Sequence, residues 1–176
     1  MNKAPAEKTI VRRESEDYRE VRVERVDRLR YRAHGANGAT LDFGVGDGLL
    51  TPVELLLAAI AGCSSVDVDA VTTRREIPQV FEVLASALKK HEDGAVRLDD
   101  VEVDFDVQFP ETEAGTQAAK MVDRLIRLSA EKDCTVSRTV EHPTKVEFHR
   151  VEGGNCRPAA RPSVESLLHA GLPLVL

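Results

Sequence analysis

The sequence predicts a mixed fold of β-strands and α-helices, organised as one domain with appendages. Three observations predict it. The run Val101-Glu102-Val103-Asp104-Phe105-Asp106-Val107-Gln108-Phe109 alternates without a fault, the two-residue period of a strand with one apolar and one acidic face. Thr51-Pro52-Val53-Glu54 opens a helix, with Thr as N-cap, Pro at the first helical position and Glu at the capping-box position. Ala118, Met121, Val122, Leu125 and Leu128 then recur at helical spacing within residues 114–132. Set against roughly 150 residues per domain, a length of 176 argues for one domain.

Residues 1–18 are charge-rich and aperiodic and read as a flexible lead to a domain spanning 19–151. Val21, Val23, Leu29 and Tyr31 share odd parity while Arg22, Glu24, Arg28, Arg30 and Arg32 fill even positions, which predicts one strand with a solvated face. Gly35-Ala36-Asn37-Gly38 is a turn, and Leu41, Phe43 and Val45 resume the alternation, making a hairpin. Gly44, Gly46 and Gly48 loosen the chain before the helix at Thr51. The first half of that helix, Leu55 to Cys63, is apolar on every face, so a long central helix buried all round is expected; Ser64, Asp67, Asp69 and Thr72 return it to water, and Pro78 marks the end of the segment. Beyond it, Val80 to Lys90 reads as a strand, Gly94 as a turn, and Pro110 as the end of the 101–109 strand. The helix at 114–132 follows, then a short helix or turn at 136–140 and a last strand from Lys145 to Val151 through Val146 and Phe148. Residues 152–176 form a tail with an apolar patch at Leu167, Leu168, Leu172, Leu174, Val175 and Leu176.

Composition excludes several classes of function. Hydrophobic residues are 42% and charged residues 31%, ordinary globular usage, so a real core is expected. Aromatics are 4% with no Trp, which leaves few side chains for stacking on bases or sugars. A formal net charge of −6 disfavours nucleic acid and anionic membrane as partners. The N-terminal stretch lacks an apolar h-region, and the apolar run Val53–Cys63 falls short of the roughly 20 residues of a bilayer span, so a cytoplasmic protein is expected. His34, His91, His142, His149 and His169 show no zinc spacing, and neither a metal nor another cofactor is expected.

Chemistry is left to the cysteines. Cys63, Cys134 and Cys156 are too few and too far apart for a secreted disulfide framework, and there is no Cys-x-x-Cys. A catalytic or redox role and inert buried thiols both remain open, since free Cys is among the most buried residue types. The even-face arginines Arg22 to Arg32 and the acidic face Glu102, Asp104, Asp106 read as solvated strand faces.

Two stretches carry a resemblance: Thr51-Pro52-Val53-Glu54-Leu55-Leu56-Leu57-Ala58-Ala59-Ile60-Ala61-Gly62-Cys63 with the following Ser64-Ser65-Val66-Asp67-Val68, and Leu128 to Val140 around Asp133-Cys134-Thr135-Val136-Ser137. With them the chain resembles the OsmC/Ohr family of osmotically induced and organic hydroperoxide resistance proteins, over roughly residues 20–151, and is closer to the OsmC-like branch. The resemblance implies an α+β fold in an intertwined homodimer, with the central helix packed between sheets at the interface. It also implies a dithiol peroxidase of organic hydroperoxides, Cys63 peroxidatic and Cys134 resolving, rereduced by an external dithiol such as a lipoyl group. Disulfide formation would require the fold to bring residues 63 and 134 to within about 7 Å between Cα atoms. The peroxidase branch carries an Arg in the first hairpin loop and a Glu at the start of the central helix. Here the loop reads His34-Gly35-Ala36-Asn37-Gly38 and the Glu position falls on Val53. Glu54, one residue on and turned about 100° around the helix, is either a supporting carboxylate or the capping-box partner of Thr51. Arg32, His34 and Arg138 are the sources of positive charge that remain, and Cys156 reads as an incidental thiol. Two rivals to the enzyme keep the same fold: a dimer that binds a small apolar ligand, and a redox sensor.

Overall fold

The computed structural model describes Ser15 and residues 17–150; most of the lead, Val151, the tail and Cys156 lie outside the described residues. The fold is mixed, with small antiparallel sheets and helices, in the order β1 (Val21–Asp27), β2 (Arg30–Gly35), β3 (Thr40–Gly44), α1 (Pro52–Thr72), β4 (Val80–Glu92), β5 (Ala95–Gln108), α2 (Glu113–Ala119), α3 (Val122–Leu128), a π-helical turn (Ser129–Asp133) and α4 (Thr135–Glu141). The chain divides into two compact units, one ending at Leu50 and including the chain from Phe148 on, the other Thr51–Glu147.

The first unit is a three-stranded antiparallel meander, β1-β2-β3. The single strand expected over Val21–Arg32 is two strands, because the chain reverses at Arg28-Leu29 with Asp27 paired to Arg30. Leu29 takes a left-handed φ of 57°, and Asp27 Oδ1 accepts the Arg28 amide at 2.6 Å; no Gly or Asn announced this turn. The turn at Gly35–Gly38 stands where expected, with Gly38 at φ 87° and the Gly35 amide on the Ala39 carbonyl. Cross-strand partners Val23, Ala33 and Leu41 share one face, and Glu24, Arg32 and Asp42 the other. The burial runs opposite to expectation: Val21 and Val23 are exposed, while Arg22 and His34 on the charged face are half-buried.

The second unit carries the longer elements. Thr51 and Glu54 close the capping box on α1 in both directions, Thr51 Oγ1 accepting the Glu54 amide at 3.2 Å and Glu54 Oε2 accepting the Thr51 amide at 2.7 Å. The helix ends at Thr72, ahead of Pro78. Its buried stripe is Ile60, Ser64, Val68 and Thr72, spaced four apart on one face. Burial all round does not occur in the single chain, since Val53, Leu56 and Val66 are exposed. Among the described residues, β4, α3, the π turn and α4 pack most closely against this helix. β4 and β5 pair as one long hairpin closed by Asp93-Gly94, both at positive φ, so the strand expected from Val101 begins at Ala95. Phe81, Val83, Ala85, Val103, Phe105 and Val107 form its half-buried face, and the acidic residues line the other.

The continuous helix expected over 114–132 is broken. α2 ends at Ala119, α3 starts at Val122, and the last turn widens to a π-helix that the Cys134 amide closes on the Ser129 carbonyl at 2.9 Å. Residues 136–140 lie in a helix, α4. Among the described residues the last strand does not form: residues 143–150 have no described ladder partner, and Phe148 is 91% exposed.

Candidate active site

The second unit brings Cys63 and Cys134 together. Cys63 projects from α1 half-buried; Cys134, between the π turn and α4, is 0% exposed; both are free thiols. The two thiols lie close enough to bear on each other's ionisation; the Val136 amide of the first turn of α4 bears on Cys63, and the Ser137 amide donates to the Cys134 sulfur at 3.3 Å.

Their electrostatics differ. Burial pushes the Cys63 thiol up, and the negative charge of a Cys134 thiolate and of Asp67 pushes the same way, against the Val136 amide. Burial opposes ionisation at Cys134 too, but the Ser137 hydroxyl at 3.1 Å, its amide at 3.3 Å, and contacts from Cys63 and Ser64 outweigh it and hold that thiol below its ordinary value. Asp67, one turn beyond Cys63, accepts the hydroxyl of fully buried Ser129 at 2.6 Å, which pins the π turn to α1 beside the thiol pair.

The candidate supporting groups are occupied elsewhere. Glu54 is spent on the capping box, whose backbone and hydroxyl contacts at Thr51 lower its pKa. Arg32 grips Asp42 bidentately at 2.6 and 2.8 Å, and His34 Nε2 stands 2.9 Å from Glu24. Arg138 donates to the Glu131 carbonyl at 2.9 Å. Ser64 and Asp67, expected only to return the central helix to water, bear on the thiol pair, as does Ser137, and Asp67 also holds Ser129. The available signals were spacings, Asp67 four residues after Cys63 and Ser137 three after Cys134, the offset at which an N-cap side chain meets the N3 amide. Among the described residues no cluster of His, Cys, Asp or Glu is placed to hold a metal ion.

The sequence matches a known family over the whole of the second unit. The OsmC-like protein family profile matches residues 44–149. The chain belongs to the OsmC-like family. No curated protein matches it. Among solved structures, a structural-genomics protein is 26% identical, with 69% of this chain and 88% of that one covered and a TM-score of 0.57. A hypothetical protein from Aquifex aeolicus VF5 is 22% identical over 70% and 86%, TM-score 0.56, and an OsmC-like protein of unknown function from Vibrio cholerae is 14% identical over 70% and 93%, TM-score 0.57; these two show the shared fold. By length and composition alone, α1 could cross a membrane, being 21 residues against the shorter apolar run counted in the sequence. The OsmC-like fold is a soluble domain, and Ile60, Ala61 and Val68 of α1 are among its buried apolar residues here.

Proposed function

We propose that this OsmC-like protein is a homodimeric dithiol peroxidase that reduces small organic hydroperoxides in the cytoplasm, with Cys63 attacking and Cys134 resolving. The observation that carries this reading is the pairing of two free thiols near enough to shift each other's ionisation, one half-buried and one fully buried. The Cys63 thiolate attacks the O–O bond and takes one oxygen; the alkoxide that leaves picks up a proton and departs as the alcohol, and Cys63 becomes a sulfenic acid. The Cys134 thiolate attacks that sulfur, an S–S bond forms, and the oxygen leaves as hydroxide, protonated to water. The peroxide gains two electrons and the thiol pair loses two. An external dithiol such as a lipoyl group returns them by exchange through a mixed disulfide, ending as its own disulfide.

A second reading, a non-enzymatic dimer that binds a small apolar ligand or senses redox state, is favoured by one observation. The Cys63 thiolate is disfavoured by burial and by Asp67, Arg32 and Arg138 have other partners, and His34 stands beside Glu24. Counting free thiols before and after one equivalent of an alkyl hydroperoxide separates the two. Loss of two thiols per chain within seconds supports the peroxidase; slow loss or none supports the binder.

A further inference from the structure

Cys134 occupies a position that oxygen usually fills. It is the N-cap of α4, where Ser, Thr, Asp or Asn normally accepts the N3 amide, and its sulfur accepts that bond from Ser137. A neutral thiol is a weak acceptor, whereas a thiolate is a strong one. The N3 residue here is itself a hydroxyl carrier, and Ser137 Oγ lies 3.1 Å from the same sulfur with no other hydrogen-bond partner among the described residues. One residue therefore meets one fully buried sulfur with an amide that donates and a hydroxyl that can donate once that sulfur is a thiolate.

We propose that Ser137 is a positioning residue that makes Cys134, and not Cys63, the sulfur that carries the negative charge of the reduced pair. The other groups that bear on Cys134 are Cys63 and Ser64 of α1, and Asp67 of that helix bears on Cys63. Both thiols compete for one proton; the Ser137 amide and hydroxyl meet Cys134 alone, while Cys63 has the Val136 amide against burial and Asp67. This deepens the peroxidase reading and rests on it for its consequence: the resolving thiolate is formed before the peroxide arrives. Its attack on the Cys63 sulfenic acid, with S–S bond formation and loss of hydroxide as water, needs no prior proton removal from Cys134. The sulfenic acid is therefore short-lived and escapes further oxidation.

The test uses the full chain with Cys156→Ser throughout, reading thiolate absorbance against pH. In a Cys63→Ser background Cys134 titrates alone, and adding Ser137→Ala, which keeps the amide and removes the hydroxyl, is expected to raise its midpoint by about one pH unit, as loss of a hydrogen bond to a charged group predicts. Ser137→Thr, which restores a hydroxyl, is expected to return the midpoint to that of the parent. An unchanged midpoint in Ser137→Ala, or a raised one in Ser137→Thr, overturns the proposal; the Thr variant decides it if the Ala variant does not fold. With both cysteines present and one equivalent of alkyl hydroperoxide added, Ser137→Ala should accumulate a sulfenic acid at Cys63 that a 1,3-dione traps, at an undiminished rate of peroxide consumption. If the parent consumes no peroxide, the peroxidase reading falls while the titration still decides the role of Ser137.

Discussion

Asp67 is the nearby carboxylate whose charge bears on Cys63, behind burial, the Val136 amide and Cys134 in size. It lies one helical turn from the thiol, and its charge, after burial and the facing Cys134, opposes ionisation. Asp67→Asn removes the charge and leaves an amide that still meets the Ser129 hydroxyl, so the thiolate population at neutral pH should grow. Nucleophilicity falls with basicity, so only about half of that gain on a logarithmic scale reaches the rate, and peroxide consumption should rise roughly two- to fourfold in stopped-flow measurements. A fall at neutral pH would contradict this assignment. The parent's rate follows the same sign: with the thiol pushed up, it should go on climbing with pH beyond the point at which an ordinary Cys is fully ionised. The thiols are separated by their Ser variants. Cys134→Ser should consume one equivalent of hydroperoxide and stop as a trappable sulfenic acid; Cys63→Ser should consume none, as shown by mass spectrometry after a single addition.

At the scale of elements, the capping box is where sequence and fold agree most closely. Thr51→Ala removes the N-cap acceptor of α1 and should cost about 1 kcal/mol in denaturant unfolding. The Glu54 carboxyl is held below its usual range by the Thr51 amide and hydroxyl, so its contribution is present at neutral pH and is lost as pH falls from the unfolded value through the lowered folded one. A tighter constraint sits at α2, where a Cβ on Gly115 would run into the Pro110 carbonyl oxygen; Gly115→Ala should cost roughly 1–3 kcal/mol as an overpacked site. The strands and α1 were legible because periodicity and caps are local. The Arg28-Leu29 reversal was not, because a Leu at positive φ is imposed by pairing of its neighbours and leaves no turn residue to read. The breaks in 114–132 carry neither Gly nor Pro between Ala118 and Asp133; the Ser129–Asp67 contact spans 62 residues, a separation that no local pattern records. Cys63 and Cys134 could be named from the motifs around them, but their opposite electrostatics depend on which amides and hydroxyls α4 turns toward each.

Over the whole molecule, the buried apolar residues among those described are only Ile60, Ala61, Val68, Ala118 and Cys134, while Val21, Leu41, Val53, Leu56, Val66, Leu84 and Leu88 stay exposed. So small a core cannot offset the conformational entropy of ordering some 130 residues, at roughly 1 kcal/mol or more each. The missing cover is supplied, on this account, by a second copy over a large apolar interface, and sedimentation at low micromolar concentration should find a dimer. A stable folded monomer there would contradict it. The central claim is that Cys63 and Cys134 act as one redox pair, and peptide mapping of the parent protein after a single equivalent of alkyl hydroperoxide tests it most directly. The account predicts a disulfide joining Cys63 to Cys134 with Cys156 still free. Unchanged thiols, or a disulfide that includes Cys156, would contradict it.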